Sequence, residues 1–202
     1  MKINNLNNIL FQKTLVAKCK IGNKNATQDA NIYLLDERKD FSSFTRAEMY
    51  SFWDDSFYIG DIATEFLESN PNKYFYMMED EQARPICFSM LDRKKAKSNK
   101  LRYIETAPKL SIYDKPQQKR YIGETMLAFL TKICQKDGRN LLVPEVAPRL
   151  QTEDYYFKHC KFEEIQKQKN EYCKKAILRQ GMMDEFLELN KSHTGSSIDI
   201  VA

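Results

Sequence analysis

One segment constrains the fold of this chain more than any other. Residues 123–136, GETMLAFLTKICQK, place Met126, Leu127, Leu130, Ile133 and Cys134 on a single face at helical spacing. A helix of that length is marginal alone and must lay its apolar face on another surface. Asp137-Gly138 supplies its stop, because glycine tolerates the left-handed backbone a helix end requires. Residues 101–106 (LRYIET) before it and 141–143 (LLV) after it read as strands. With 42% hydrophobic residues in 202, the chain can bury one core of ordinary domain size, and is short for two.

The other elements follow from the same patterns. Residues 9–20 (ILFQKTLVAKCK) read as a strand ending at Gly22-Asn23, and residues 31–35 as a second, joined by a long polar loop. Residues 45–69 read as helical. Thr45 and Glu48 form a capping box, and apolar residues recur at Met49, Phe52, Trp53 and Phe57, then at Ile62, Ala63, Phe66 and Leu67. Gly60 is expected to divide this stretch into two helices, and Asn70-Pro71 to end it. Residues 73–78 and 85–91 form a predicted hairpin around a polar turn at 79–82, followed by a basic loop at 93–100. Thr152 is expected to cap a short helix over 153–160. Residues 162–165 and 171–178 read as the last strands, 181–190 as a short amphipathic helix, and 191–202 as a loose polar tail. The predicted class is α/β (α+β), a mostly antiparallel mixed sheet flanked by helices, with one domain over 1–180 and the short helix and tail over 181–202.

Several function classes are excluded. No run of about 18 apolar residues appears, so no membrane helix is expected. The first residues lack the apolar stretch of a signal peptide. Five widely spaced cysteines with no CxxC argue against a disulfide framework and for a reducing cytosol. No metal site is expected, because zinc sites use ligands at short paired spacings and only His159 and His193 add imidazoles. A net charge of +4 falls short of a dedicated nucleic-acid binder, and the basic loop has no interleaved aromatics for base stacking. Cys134 lies on the apolar helix face and reads as core, with no activating partner marked near it. The aromatics Tyr50, Phe52, Trp53, Phe57 and Tyr58 beside Asp54, Asp55 and Asp61 read first as core and solvated face, and second as a place for a cationic amine.

The chemistry concentrates between residues 101 and 165. A strand ends in Glu105-Thr106-Ala107-Pro108, a polar loop follows, and Arg120-Tyr121-Ile122-Gly123-Glu124-Thr125 opens into the best helix. First-turn amides have no intrahelical partner, and with the helix dipole they attract an anion. A glycine there lets a phosphate approach the backbone. Glu124 lies among these amides and must point away from any pyrophosphate.

Arg120-x-x-Gly123-x-Thr125 resembles the acetyl-CoA loop of the Gcn5-related N-acetyltransferase superfamily, Gln/Arg-x-x-Gly-x-Gly/Ala. Thr125 departs from its third anchor. Tyr156-Phe157-Lys158-His159-Cys160-Lys161-Phe162 is similar to that family's Phe-Tyr-x-x-x-Gly-Phe, with Phe157 at the tyrosine position and Lys161 at the glycine. The element order is similar over residues 9–178.

The resemblance implies a single domain of that fold and direct transfer of an acetyl group from acetyl-CoA to an amine acceptor: a small amine, a peptide or a protein. Main-chain groups of Ile104, Thr106 and Ala107 would line the thioester and pantetheine arm. Arg120, Tyr121, Ile122, Gly123, Glu124 and Thr125 would hold the pyrophosphate. Glu105, on the strand where the family often places a carboxylate, is the candidate base. Tyr156 is the candidate acid, ahead of Tyr155 and His159. The partners expected are acetyl-CoA and an unidentified amine, with a homodimer left open and neither membrane nor nucleic acid involved. The alternative is a domain of this fold that has lost catalysis and serves as a binding or regulatory module, its 182–189 segment docking a partner. A third reading is an unrelated α/β binding protein.

Overall fold

A computed structural model of the chain describes residues 13–23, 25–35, 58–68, 71–93, 97–107, 121–148, 150–165 and 173–201. Nine strands form one sheet: β1 (Thr14–Asn23), β2 (Ala26–Leu35), β3 (Lys73–Asp80), β4 (Pro85–Asp92), β5 (Ser98–Thr106), β6 (Asn140–Val146), β7 (Glu163–Ile165), β8 (Lys174–Leu178) and β9 (Asp199–Ile200). Their order is β7-β8-β6-β5-β4-β3-β2-β1-β9. Every pairing is antiparallel except β5 with β6, which is parallel. The helices are α1 (Tyr58–Leu67), α2 (Ile122–Lys136), α3 (Leu150–Glu153) continuing into a π-helical turn (Asp154–His159), and α4 (Met183–Thr194). The expected α/β mixed sheet is therefore the observed one.

The sheet is buried on both faces. β4 is buried along its whole length, and β3 from Phe75 to Asp80. That explains why KYFYMM and PICFSML read as continuous apolar runs rather than alternating ones. One face carries the main core, in which Met126, Leu127, Leu130 and Cys134 of α2 pack with Tyr76, Met78, Leu101, Leu141, Met183 and Phe186. The other face carries a smaller core of Phe75, Met77, Phe88 and Met90 under Ile62, Ala63 and Phe66 of α1.

Several elements differ from the sequence expectation. The β1–β2 register pairs Asn23 with Ala26, so the connection is a tight turn rather than a long loop. Gly60 lies within the first turn of α1, with open space where its Cβ would be, and the division expected there has its upstream side, before Tyr58, outside the described residues. The part of the expected helix over 45–57 lies outside the described residues. The β3–β4 turn falls two residues later than expected, because the Asp80 carboxylate accepts the Gln82 and Arg84 amides, both at 3.0 Å. Glu79 and Asp80 thus end the strand, buried and paired with Lys13 and Arg84. The helix expected over 153–160 starts earlier and turns π-helical, with no capping role for Thr152.

The C-terminal stretch is not loose among the described residues. α4 runs to Thr194, Gly195 closes it at φ 72°, and β9 pairs with β1 at Ala17↔Ile200 and Lys18↔Asp199. Ile198 is buried, and Lys132 Nζ donates to its carbonyl at 2.5 Å. The small polar residues there are turn chemistry between two packed elements.

Beyond the end of α2, a polar knot ties β4, β5 and the helix stop together. Arg93 donates twice to Asp137, at 2.6 and 3.0 Å, and Asn99 Nδ2 donates to it at 2.8 Å. Burial works against the Asp137 charge. The Arg93 and Asn99 hydrogen bonds more than offset it and hold the carboxyl below the usual aspartate range. A depressed folded-state pKa stabilises the fold above the unfolded value of about 3.9, and that contribution is lost as pH falls through the folded value. Asp137→Asn is expected to cost about 1 kcal/mol at neutral pH and to flatten the acid limb of the stability curve. Urea unfolding at about pH 6 and about pH 2.5 measures both effects; an unchanged acid limb would remove Asp137 as its source.

Candidate active site

The parallel ladder between β5 and β6 is short. It pairs Ser98, Asn99 and Lys100 with Asn140, Leu141 and Leu142. β5 continues to Thr106 and β6 to Val146, so the strands part and leave a gap in the middle of the sheet. The Ala107 amide donates to the Ile86 carbonyl of β4 at 3.0 Å. Main-chain groups alternate in direction along a strand, so those of Ile104 and Thr106 face away from β4, toward the gap. Ala107 itself is committed to β4 and buried in the smaller core, which removes it from the expected lining.

α2 begins beside the mouth of this gap. Tyr121, at its N-cap, is left-handed (φ 50°) and no side chain caps the helix there. That conformation costs a bulky residue roughly 1–2 kcal/mol and persists only where the surroundings hold it. A left-handed residue followed by right-handed ones turns successive N–H groups to one side, an anion-binding arrangement. The first helical hydrogen bond runs from the Thr125 amide to the Tyr121 carbonyl at 2.8 Å. Thr125 is therefore not among the free donors, and its side chain is fully buried. The amides left without an intrahelical acceptor are those of Ile122, Gly123 and Glu124. Arg120 lies outside the described residues.

Gly123 has a precise environment. A Cβ built on it stands 3.4 Å from Thr106 Cγ2 and 3.4 Å from the Tyr155 hydroxyl. The ends of β5, α2 and the π-helical turn thus meet here. The Tyr155 hydroxyl is shielded from solvent, and its polar neighbour is the weakly hydrogen-bonding Cys160 thiol. Burial, with the nearby Cys160, Tyr156 and Glu124, pushes its pKa well above the ordinary tyrosine value, so it stays protonated.

Tyr156 is placed differently from the expectation. It is buried in the main core, edge-on to Tyr155 and Phe162, and burial raises its hydroxyl pKa as well. The π-helical turn is the physical reason. The Cys160 amide donates to the Tyr155 carbonyl, five residues back, at 2.8 Å. One extra residue per turn shifts the ring that meets the site, and such bulges recur at functional sites. Lys161 adopts φ 60°, so it keeps the backbone conformation a glycine would supply.

Glu105 lies on β5 opposite Phe88, and alternation with Ile104 and Thr106 places it on the α1 face of the sheet. Glu124 is 1% exposed, its carboxylate enclosed by His159, His193 and Asn190. Its oxygens lie 2.5 Å from His159 Nε2 and 3.0 and 3.1 Å from His193 Nδ1, and Asn190 Nδ2 donates to it at 3.1 Å. Burial opposes its charge, but the hydrogen bonds from His159, His193 and Asn190 outweigh this and lower its pKa. Cys134 is core, fully buried, its thiol pushed up to about 12 by burial. The basic loop is described only at its ends, and the aromatic-acid cluster at 50–57 lies outside the described residues. No described helix is long and apolar enough to cross a membrane.

No protein-family model matches the sequence, and no curated protein matches it. Solved structures do match. The dodecameric spermidine N-acetyltransferase of Vibrio cholerae aligns with a TM-score of 0.53 at 14% identity, over 76% of this chain and 95% of that one. Mutant forms of the spermidine/spermine N-acetyltransferase of the same organism give 0.51 at 14%, over 77% and 98%. An uncharacterized protein of Bacillus halodurans gives 0.52 at 9%, over 88% and 97%. The fold is that of the Gcn5-related N-acetyltransferases.

Proposed function

We propose that this chain belongs to that superfamily and moves an acetyl group from acetyl-CoA to an amine acceptor. The observation that carries this reading is the gap between β5 and β6, which opens onto the free first-turn amides of α2 and the buried Tyr155 hydroxyl. The residues fit the co-substrate. Ile104 and Thr106 offer main-chain donors and acceptors along the gap for an amide-bearing arm. The Ile122, Gly123 and Glu124 amides hold the pyrophosphate, and Arg120 adds charge. Acetyl-CoA supplies the thioester carbon that the amine attacks.

The proton bookkeeping falls to two side chains. Glu105 takes a proton from the attacking amine as the N–C bond forms. Tyr155 gives its proton to the departing sulfur as the C–S bond breaks. Much of the rate comes from holding amine and thioester together, with proton transfer adding to it. Glu105→Gln is expected to lower turnover by ~10²-fold or more at neutral pH with acetyl-CoA affinity unchanged. An unchanged rate would remove Glu105 as the base.

Calorimetric titration with acetyl-CoA, followed by thiol release against a panel of amines and peptides, tests the whole reading. Micromolar binding with turnover supports it. Binding without turnover points instead to a module that has kept the cofactor site and lost catalysis. No binding overturns both.

A further inference from the structure

We propose that Glu124, His159 and His193 form a binding site for a divalent transition-metal ion of the zinc type. The chain has two histidines, 34 residues apart in sequence, and both converge on one carboxylate. One ligand atom from each of the three residues lies within 4.8 Å of the others. The donors come from three separate elements: the first turn of α2, the π-helical turn and α4.

Burial and geometry make the case. Glu124 is almost fully buried, its partners are two imidazoles and an amide, and no described Lys or Arg pairs with it. A buried carboxylate needs its oxygens satisfied. Two imidazole nitrogens aimed at it from separate elements can share a metal ion with it. The donor set, two imidazole nitrogens and one carboxylate oxygen, suits a borderline divalent ion and leaves a further position for water or an anion. Bonds of about 2.0–2.2 Å in a tetrahedral shell put ligand atoms roughly 3.3–3.5 Å apart. The Glu124–His159 and Glu124–His193 separations of 2.5 and 3.0–3.1 Å need to open by less than about 1 Å, and the two imidazole nitrogens, within 4.8 Å of each other, need to move by no more than about 1.5 Å, within reach of side-chain rotation.

The surroundings match those of a metal site. Asn190 Nδ2 holds one Glu124 oxygen in place, as an outer-shell partner does. The Tyr121 ring stacks on His193 at 4.5 Å between centroids and limits its rotation. His159 is 38% exposed along its side chain, which leaves a path from solvent. Bound there, the ion would pin α4 and the π-helical turn to the start of α2.

The test uses the full chain, chelator-treated and free of any polyhistidine tag, without acetyl-CoA, so its outcome is independent of the acetyl-transfer reading. Zn(II) titration is expected to show one equivalent bound at micromolar Kd or tighter. Co(II) is expected to give visible d–d bands without thiolate charge transfer, which sets the site apart from the partly exposed Cys173. His159→Ala and His193→Ala are each expected to weaken binding by ~100-fold or more. Because His193 packs against Tyr121, circular dichroism checks its variant, and the more exposed His159→Ala decides if that one unfolds. No Zn(II) binding by the wild type, equal affinity in His159→Ala, or a thiolate signature with Co(II) would overturn the site.

Discussion

Tyr155→Phe is expected to lower the turnover of acetyl transfer by ~10²–10⁴-fold while acetyl-CoA binds as before. The change removes one oxygen and no packing. That oxygen is shielded and its polar neighbour is the weakly hydrogen-bonding Cys160 thiol, so the fold loses little and the variant should stay close to the stability of the wild type. The hydroxyl faces Gly123 and Thr106 at the mouth of the strand gap, where the departing sulfur of the proposed reaction would lie. Its raised pKa keeps the proton available across neutral pH. Tyr156→Phe is the matched control, because that ring lies in the main core, and its turnover should stay within about twofold of wild type. Stopped turnover in the Tyr156 variant with normal turnover in the Tyr155 variant would reverse the assignment.

Gly123→Asp is expected to abolish acetyl-CoA binding at concentrations that saturate the wild type, without destabilising the protein. Two effects pull apart here. A Cβ at this position meets its neighbours at ordinary contact distance, and the backbone is not left-handed, so the fold accepts a side chain. An acid in the first turn of a helix is favourable by ~0.3–1 kcal/mol. The same charge sits among the amides proposed to hold the pyrophosphate, and repels it. Calorimetry and thermal unfolding on the same sample measure both effects. Unchanged affinity would move the cofactor site away from α2.

Much of this architecture was legible in the sequence. The face of Met126, Leu127, Leu130 and Cys134 marked α2, and the runs around Phe75 and Phe88 marked the doubly buried strands. The first is a local periodicity and the second a continuous apolar run, and both are patterns of neighbouring residues. Gly123 at a helix start between two strands located the candidate anion site for the same reason. Tyr155 was harder to see. A sequence spacing assumes an α-helical turn, and the π-helical turn that brings Tyr155 forward and sends Tyr156 into the core depends on packing beneath it. The adjacent pair Tyr155-Tyr156 was the local hint, and the positive φ of Lys161 shows only in the structure.

By itself, then, the sequence determined the order of elements, the apolar faces that must be buried, and the helix start whose first-turn amides lack an intrahelical partner. Each is a property of neighbouring residues and of backbone chemistry. Only the tertiary structure decided where β5 and β6 part, which tyrosine meets the gap, and that His159 and His193 close on Glu124 from 35 and 69 residues away. β9 beside β1 is of the same kind. These contacts exist because the sheet and its two cores bring distant segments together, and no spacing along the chain encodes that distance.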